Sequence, residues 1–501
     1  MRAWFAGDFD GCLARCDRVR PSDVDMVSQL ALLRARALLR LGRADDAIGA
    51  VRSVFIAHGT LDASLTARML LGTAYVRRGD NRTGLHMLEH AYAGAGGAHP
   101  TVRSEIALNI ALAYYGLREL DGADRALDRV SPDADIVHAR ALEYRAWIAL
   151  ARSDFAGAMR HFQGALLRLD GCRHYDRFLE ANSLQGLAML AAERLDRAAF
   201  MLVEQRAERF DGSAGGLAGP LFLVAFAASM MDEVNGRARD ALRRAREAET
   251  AAPTEIMRLL AMCRRATVLR NVDERHAHYD LVVQIHNALS GLDLSGADGN
   301  EREVPAALAI ELAWSGDVLG ARALLKQYDA LPPADAMSSL HDDPRPVGAR
   351  LYAEAVVADA AGDHQTAHHR YREAFQIFHR CGYERRALHA ALRLGELTGQ
   401  TYLLEYAERV LKKLSAHSPL RQRARRHNAP DGDPVVGALS RTERAVLQLL
   451  CEGKSTAEIA LLRNRSKQTV RNTVSRILSA FEVGDRHALL RECVKRGIVT
   501  G

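Results

Sequence analysis

The residues best suited to bind another molecule lie near the carboxyl end of the chain, between Arg463 and Arg476. This stretch contains five cations and no acidic residue: Arg463, Arg465, Lys467, Arg471 and Arg476. In the major groove of DNA, arginine can make a bidentate contact to guanine, and asparagine, such as Asn472, can make one to adenine. The composition of the stretch therefore indicates a surface for base edges and phosphates.

A helix must position these side chains. Ser466 is a favourable N-cap, and the apolar residues that follow it fall on one stripe of a helix: Val470, Val474, Ile477, Leu478 and Phe481. The opposite face presents polar side chains: Lys467, Gln468, Arg471, Asn472 and Ser475. The pattern predicts a half-buried recognition helix with its polar face open to DNA.

Three further helices are predicted around it. Ser440-x-x-Glu443 and Ser455-x-x-Glu458 are capping boxes, each opening a helix, and Gly453 ends the first of these. The second is short, with Ala457, Ile459, Ala460 and Leu462 as its apolar residues. Asp485 can cap a fourth helix that runs to Gly497.

Residues 439–499 resemble the LuxR-type (GerE-type) helix-turn-helix. The resemblance is carried by Leu439, Ser440, Glu443, Val446, Leu447, Gly453, Ser455, Glu458, Ile459, Ala460, Ser466, Thr469, Val470, Arg471, Val474, Ile477, Val483, Arg486 and Gly497. It implies that the short second helix is the scaffold and that the third enters the major groove of double-stranded DNA. It also implies that the fourth helix supports a homodimer on DNA.

Three positions depart from that family. Arg463 and Arg465 stand where it usually has apolar residues, and Thr473 replaces a usual histidine. Either Leu462 substitutes by a shift of one position, or the turn is less stable, or the arginines point to phosphate. We predict that ten residues contact DNA: Arg463, Arg465, Ser466, Lys467, Gln468, Thr469, Arg471, Asn472, Ser475 and Arg476.

A repeated turn organises the preceding sequence. Its pattern is Gly followed by Asp or Arg, with alanine five residues after the Gly, at Gly42 (with Ala47), Gly316 (with Ala321) and Gly362 (with Ala367). Related turns occur at Gly79, Ser153, Arg194 and Gly236. The spacing of roughly 35 to 45 residues is that of one helical-repeat unit.

These units resemble tetratricopeptide repeats. Leu71, Gly72 and Tyr75 match the family's first helix, and its second helix is matched by two triplets, Ala158-Phe162-Ala165 and Ala367-Tyr371-Ala374. Pro333 corresponds to the proline that closes a repeat. The resemblance implies an all-α solenoid whose concave face binds a protein or peptide partner. Gly7-Asp8 has almost no helix before it, so we expect an incomplete first unit or a longer ancestor.

Charge divides the 501 residues in the same way. Residues 439–501 hold 12 Lys and Arg against 6 Asp and Glu, which gives +6, and residues 412–438 carry +4, so residues 1–411 carry −4. We predict a solenoid over 1–414, a basic linker over 415–438 and a DNA-binding domain over 439–501.

Other chemistry is disfavoured. Gly453-Lys454-Ser455 would end a phosphate-binding loop, but Gln448 stands where that loop needs glycine. His364 and His368 have no third metal ligand in register. We expect no catalytic residue, no cofactor and no metal, and therefore no enzyme. Seven scattered cysteines and an apolar stretch at 217–231 too short to cross a bilayer favour a cytoplasmic protein with no membrane contact.

Two functions remain open. The first is a sequence-specific transcriptional regulator whose solenoid binds a partner, peptide or small ligand. The second is a helical-repeat scaffold whose tail has lost DNA recognition, which Arg463 and Arg465 would favour.

Overall fold

A computed structural model describes residues 2–20, 23–56, 60–210, 217–294, 301–329, 344–398, 401–415, 418, 420–421, 435–436, 439–463 and 465–495. These residues form helices and connecting turns, with no strand among them. The chain divides into two compact units, Met1–Ser418 and Pro419–Gly501. The predicted all-α solenoid and C-terminal helix-turn-helix fold are confirmed.

The first unit is a series of antiparallel helix pairs. Its helices are α1 Arg2–Phe5, α2 Phe9–Arg18, α3 Val24–Arg40, α4 Ala44–Ile56, α5 Leu61–Arg77, α6 Asn81–Ala93, α7 Pro100–Gly116, α8 Leu120–Leu127, α9 Asp135–Ala151, α10 Phe155–Asp170, α11 Arg177–Glu193, α12 Arg197–Ala207, α13 Ala218–Val234, α14 Ala238–Ala251, α15 Glu255–Asn271, α16 Arg275–Leu289, α17 Val304–Trp314, α18 Val318–Asp329, α19 Pro344–Ala360, α20 His364–Arg380, α21 Glu384–Thr398 and α22 Thr401–Leu411.

The predicted turns join the two helices of a pair. At Gly79, whose φ is 93°, the chain leaves α5 in the left-handed region that glycine tolerates. The Asp80 N–H then donates to the Tyr75 carbonyl at 3.0 Å, and the Asp80 carboxylate accepts from the Thr83 N–H at 3.1 Å. This geometry satisfies backbone groups at the end of one helix and the start of the next.

Some turns use other residues in the same conformation. Ser153 has a φ of 59°, and in the turn predicted at Arg194 the left-handed residue is Leu195, with a φ of 54°. Arg118 and Asp273 occupy equivalent turns that the glycine pattern did not predict. The surrounding helix pair imposes the conformation at these positions, where a side chain makes it unfavourable.

Small residues let the helices of the solenoid approach closely. Ala158, Phe162 and Ala165 are fully buried, as are Ala367 and Ala374, with Tyr371 only 2% exposed. A Cβ on Gly186 would lie 2.2 Å from the Phe162 ring, so a glycine is required opposite that ring. The predicted small-aromatic-small pattern therefore forms the packing between helices. Pro333 lies outside the described residues.

The apolar stretch at 217–231 is part of the solenoid. It lies mainly in α13, where Phe222 and Ala227 are fully buried. In the described part of the chain, no helix combines the length and apolar character needed to cross a bilayer. None of the seven cysteines forms a disulfide bond.

Helix pairs that are five pairs apart also meet. Phe9 in α2 packs edge-on against Phe178 in α11 at 5.6 Å between ring centroids, and Phe155 at the start of α10 contacts Tyr383 at 4.9 Å. The Glu193 carboxylate at the end of α11 accepts from Arg385 at 2.9 Å and from Arg386 at 2.8 Å, both in α21. The solenoid thus turns back on itself, so that successive turns are in contact.

Where the structure describes the second unit, it shows the four helices α23 Arg441–Cys451, α24 Thr456–Leu462, α25 Lys467–Ala480 and α26 Arg486–Lys495. Each helix contributes to a small apolar core, which includes Leu450, Ile459, Ile477 and Leu489. The predicted helices are confirmed in order, although the predicted end of the fourth at Gly497 lies outside the described residues.

Candidate nucleic-acid interface

Two capping boxes fix the helices that support the interface. The Ser440 N–H donates to the Glu443 carboxylate at 2.9 Å, and the Glu443 N–H donates to the Ser440 hydroxyl at 3.3 Å. Ser455 and Glu458 form the same reciprocal pair at the start of α24, at 2.7 Å and 3.3 Å. Both predicted boxes are therefore present, and they define where α23 and α24 begin.

An arginine ties the fourth helix to the first two. The Arg486 guanidinium donates to the Leu450 carbonyl at 3.3 Å and to the Lys454 carbonyl at 2.5 Å. Leu450 lies in the last turn of α23 and Lys454 in the connection to α24, so Arg486 holds the fourth helix against the end of the first. Arg486 was predicted only as a position of family resemblance, and its cross-helix contacts could not be read from the local pattern.

Helix α25 is half buried, as predicted. Val470, Ile477 and Phe481 are at most 3% exposed, and Val474 and Leu478 pack partly buried against the same core. Thr473 joins this face at 5% exposure, and its hydroxyl donates to the Thr469 carbonyl at 3.0 Å. The residue that replaces the family's usual histidine therefore faces the core.

The predicted contact residues lie on the opposite face of α25. Gln468, Arg471, Asn472 and Ser475 are all exposed, and their i, i+3, i+4, i+7 spacing places them on one face. The Gln468 side-chain amide donates to the Asn472 side-chain oxygen at 3.1 Å, which orders two of these side chains. Exposed Lys467 precedes them in the first turn of the helix.

Ser466 and Thr469 form the N-cap of α25. The Thr469 N–H donates to the Ser466 hydroxyl at 3.1 Å, and the two hydroxyls lie 2.8 Å apart. Both residues are exposed, so the cap stands at the same surface as the predicted contacts. The N–H groups of a helix N-terminus favour anions there.

Arg476 lies at one edge of this surface. Its guanidinium is 3.4 Å from the Glu443 carboxylate, and its side chain is 69% exposed. Hydrogen bonds from Ser440 lower the pKa of Glu443, and the Arg476 charge lowers it further. An ion pair this exposed contributes little to stability, so Arg476 can exchange Glu443 for another anion at small cost.

The turn between α24 and α25 exposes two more arginines. Arg463 and Arg465 are both exposed, and the Arg465 N–H closes the turn by donating to the Ala460 carbonyl at 2.9 Å. Within the described residues, the side chains of Arg463, Arg465, Lys467 and Arg471 form no hydrogen bond or ion pair. Four cationic side chains are thus available to a ligand.

Leu462 does not fill the missing apolar position, so this alternative is excluded. Leu462 is 60% exposed, because α24 ends there and its last turn points away from the core. Ala457 is exposed as well, so Ile459 and Ala460 are the buried residues of this helix. Leu461 is 85% exposed, because the register of the buried residues Ile459 and Ala460 places it on the outer face of the helix.

Two short capped helices joined by a tight turn, the second with a polar exposed face, define a helix-turn-helix DNA-binding domain. Residues 437–492 match the family model described as bacterial regulatory proteins, luxR family, named GerE. The C-terminal unit therefore carries a luxR-family helix-turn-helix domain.

The first unit is a helical-repeat solenoid, built of successive helix pairs. One similar solved structure is the crystal structure of the APC/C hetero-tetramer Cut9-Hcn1, at 13% sequence identity and a TM-score of 0.37. The similarity covers 93% of this chain and 90% of that chain. No curated protein matches the chain.

Proposed function

We propose that this protein is a sequence-specific transcriptional regulator that places α25 in the major groove of double-stranded DNA. The observation that carries the proposal is the face formed by Gln468, Arg471, Asn472 and Ser475, which is exposed while the opposite face of α25 is buried. A helix of this kind fits the width of the major groove, and its arginine and amide side chains suit base edges.

The arginines of the turn serve a different purpose. Arg463 and Arg465 precede the N-cap of α25, whose N–H groups also attract anions. Contacts to phosphate position a protein on the duplex without selecting sequence. We therefore assign Arg463, Arg465, Lys467 and the Ser466 cap to the DNA backbone, and Arg471 and Asn472 to the bases.

Substitution of Arg471 tests this assignment. Genomic fragments bound by the full chain are sequenced, and binding to the enriched site and to an unrelated duplex is then measured by gel shift. Arg471→Ala removes a bidentate contact that is worth roughly 1–3 kcal/mol, so it should weaken the enriched site about fivefold to 150-fold. The affinity for the unrelated duplex should fall much less.

Arg491→Ala is the matched control. Arg491 is exposed in α26 of the same domain, and its removal makes the same change in net charge. This substitution should weaken binding to both duplexes to the same extent. If Arg471→Ala and the control behave identically, or no site is enriched, α25 does not select sequence and the chain is better described as a scaffold with a degenerate tail.

The solenoid has the regulatory role in this proposal. Helical-repeat arrays bind proteins or peptides through the side chains they expose, and binding there can change how the C-terminal domain engages DNA. A homodimer would bind a two-fold symmetric site. Light scattering of the complex with the enriched duplex, which gives two chains per duplex for a dimer, tests this part separately.

A further inference from the structure

The inner layer of the first turn of the solenoid gathers charged side chains from several helices. Odd-numbered helices contact one another from pair to pair and form this layer. Arg36 and Arg40 come from α3, Arg77 from the end of α5, Glu105 from α7 and Arg140 from α9. These side chains lie close enough for their charges to influence one another, and the Arg36 side chain contacts the Glu105 side chain directly.

Two of the arginines have carboxylate partners. Arg36 donates to both oxygens of Glu105, at 3.1 Å and 2.6 Å, and Arg140 donates to Asp176 at 2.6 Å. The Arg140–Asp176 pair is well buried, with side-chain exposures of 12% and 3%. These two pairs neutralise themselves and leave no acidic group to neutralise a third cation.

Arg40 is that third cation. Within the described residues its guanidinium forms no hydrogen bond or ion pair. It lies 4.5 Å from the centroid of the Phe178 ring and 5.8 Å from that of Trp4. The rings can hold the cation in place, but they do not satisfy its N–H donors.

The nearby acid Glu143 does not replace the missing partner. Its carboxylate accepts from the Trp147 indole N–H at 3.2 Å and from the Asn182 amide, and burial raises its pKa, which favours its neutral form. Burial and the charge of Arg140 lower the pKa of Arg40 to about 10, so Arg40 is still charged at neutral pH. The charge of Asp176 partly stabilises Arg40 from a distance, but among the described residues no carboxylate forms an ion pair with it.

We propose that Arg40 is the anchor of a binding site for a small oxyanion, carboxylate or phosphate, in the inner layer of the solenoid. The Phe178 ring lies against the guanidinium at 4.5 Å, and the edge of a guanidinium can donate two parallel hydrogen bonds, which both kinds of oxyanion accept. Arg77, exposed at the end of α5, lies close enough for its charge to lower the pKa of Arg40, and it adds a second cation at the site.

The proposed ligand of the solenoid is thus a small oxyanion. Its binding does not require DNA. An anion held at Arg40 would contact helices from several pairs together, since α3, α9 and the start of α11 meet there. Its binding would stiffen the first turn relative to the rest of the array.

Tryptophan fluorescence of the full chain tests the proposal, because Trp4 contacts Arg40 and Trp147 contacts Glu143. Sodium phosphate and sodium acetate are titrated in separate arms, against sodium chloride at matched ionic strength. A saturable change is expected in at least one oxyanion arm and not with chloride, and the arm that saturates at lower concentration identifies the oxyanion. Arg40→Gln should raise the half-saturating concentration about tenfold or more.

Two controls show where the anion binds. Arg275→Gln alters an arginine whose side chain is 86% exposed, and Arg471→Ala alters the DNA-binding face, and both should titrate as the wild type does. An unchanged titration of Arg40→Gln, or the absence of a saturable change in both oxyanion arms, would overturn the proposal.

The melting temperature separates a binding role from a structural one. Without anion, the melting temperature of Arg40→Gln should be no lower than that of the wild type, because Arg40 has no carboxylate partner to lose. With saturating anion, the melting temperature of Arg40→Gln should be lower than that of the wild type. Should Arg40→Gln fail to fold, Arg40→Lys retains the charge without the planar fork, and it must weaken anion binding for the proposal to stand.

Discussion

The two units of this protein use arginine in opposite ways. In the solenoid, arginines such as Arg386 are largely buried and held by carboxylates, with 2.8 Å contacts to both Glu193 and Glu303. In the C-terminal unit, Arg463, Arg465 and Arg471 are exposed and form no ion pair within the described residues. The same residue type is structural in one unit and available to a ligand in the other.

The difference shows which property distinguishes a binding arginine from a structural one. Burial alone does not, because Arg40 is half-buried and still has no carboxylate. The net charge of the unit does not distinguish them either, because the solenoid is close to neutral and contains both kinds. The distinguishing property is whether an acid within the fold already occupies the guanidinium edge.

The largest expected effect comes from breaking a buried pair in the solenoid. Glu193→Ala would remove the carboxylate partner of Arg385, which is 12% exposed, and would leave Arg386 with Glu303 alone. Uncompensated buried charges of this kind cost about 3–5 kcal/mol of the free energy of unfolding. Urea unfolding followed by circular dichroism measures the loss.

Asp17→Ala is the control for that variant. It removes the surface pair of Asp17 with Arg34, whose side chains are 53% and 46% exposed, and should cost less than about 1 kcal/mol. Equal losses for the two variants would contradict the claim that the contact between α11 and α21 is buried and stabilising.

Acid should weaken the same contact. Burial of Glu193 favours its protonated form, but the charges of Arg385 and Arg386 outweigh burial and lower its pKa from 4.5 to about 2. The stabilisation is therefore complete above about pH 4.5 and is lost as the pH falls towards 2. As the pH is lowered across this range, the free energy of unfolding should fall more steeply for the wild type than for Glu193→Gln. Parallel curves would mean that Glu193 is not charge-paired in solution.

A smaller effect is expected at the N-cap of α25. Ser466→Ala removes the acceptor of the Thr469 N–H and should cost about 1 kcal/mol, which is roughly a fivefold increase in hydrogen exchange across the helix. Ser479→Ala, an exposed serine in the last turn, should leave exchange unchanged. Similar exchange in both variants would show that the cap does not hold the recognition helix.

The smallest expected change concerns salt dependence. If Arg463 and Arg465 each neutralise one phosphate, the double variant Arg463→Gln, Arg465→Gln should reduce the log–log salt slope of DNA affinity by about 1.8, at about 0.9 per contact. The preference for the enriched site should persist. A slope equal to that of the wild type would mean that these arginines remain in solvent on DNA.

Local patterns predicted much of this fold. The stripe of Val470, Ile477 and Phe481 and the two capping boxes depend on residues within a few positions of one another, so sequence alone identified them. Leu462 was misjudged because a shift of one position in a helix that ends at once turns the side chain towards solvent. A seven-residue helix has only about two turns, so its sequence contains too few apolar residues to define which face is buried.

Contacts between distant segments could not be predicted. Glu193 and Arg386 are 193 positions apart, and nothing near either residue indicates the other. The turns at Arg118 and Asp273 were also missed, since their left-handed backbone is imposed by the helix pair and not by the residue type. The lack of an ion pair at Arg40 could not be predicted either, because it depends on how side chains from α7, α9 and the start of α11 pair with other residues.

The meeting of helix pairs five units apart has a consequence for how the solenoid gains and loses its structure. A repeat array in which each unit contacts only its neighbours can fray from its ends, one unit at a time. Here the loss of α21 also removes support from α11, near the middle of the array. We therefore expect cooperative loss of the whole array, and slow formation, because these contacts close long stretches of chain.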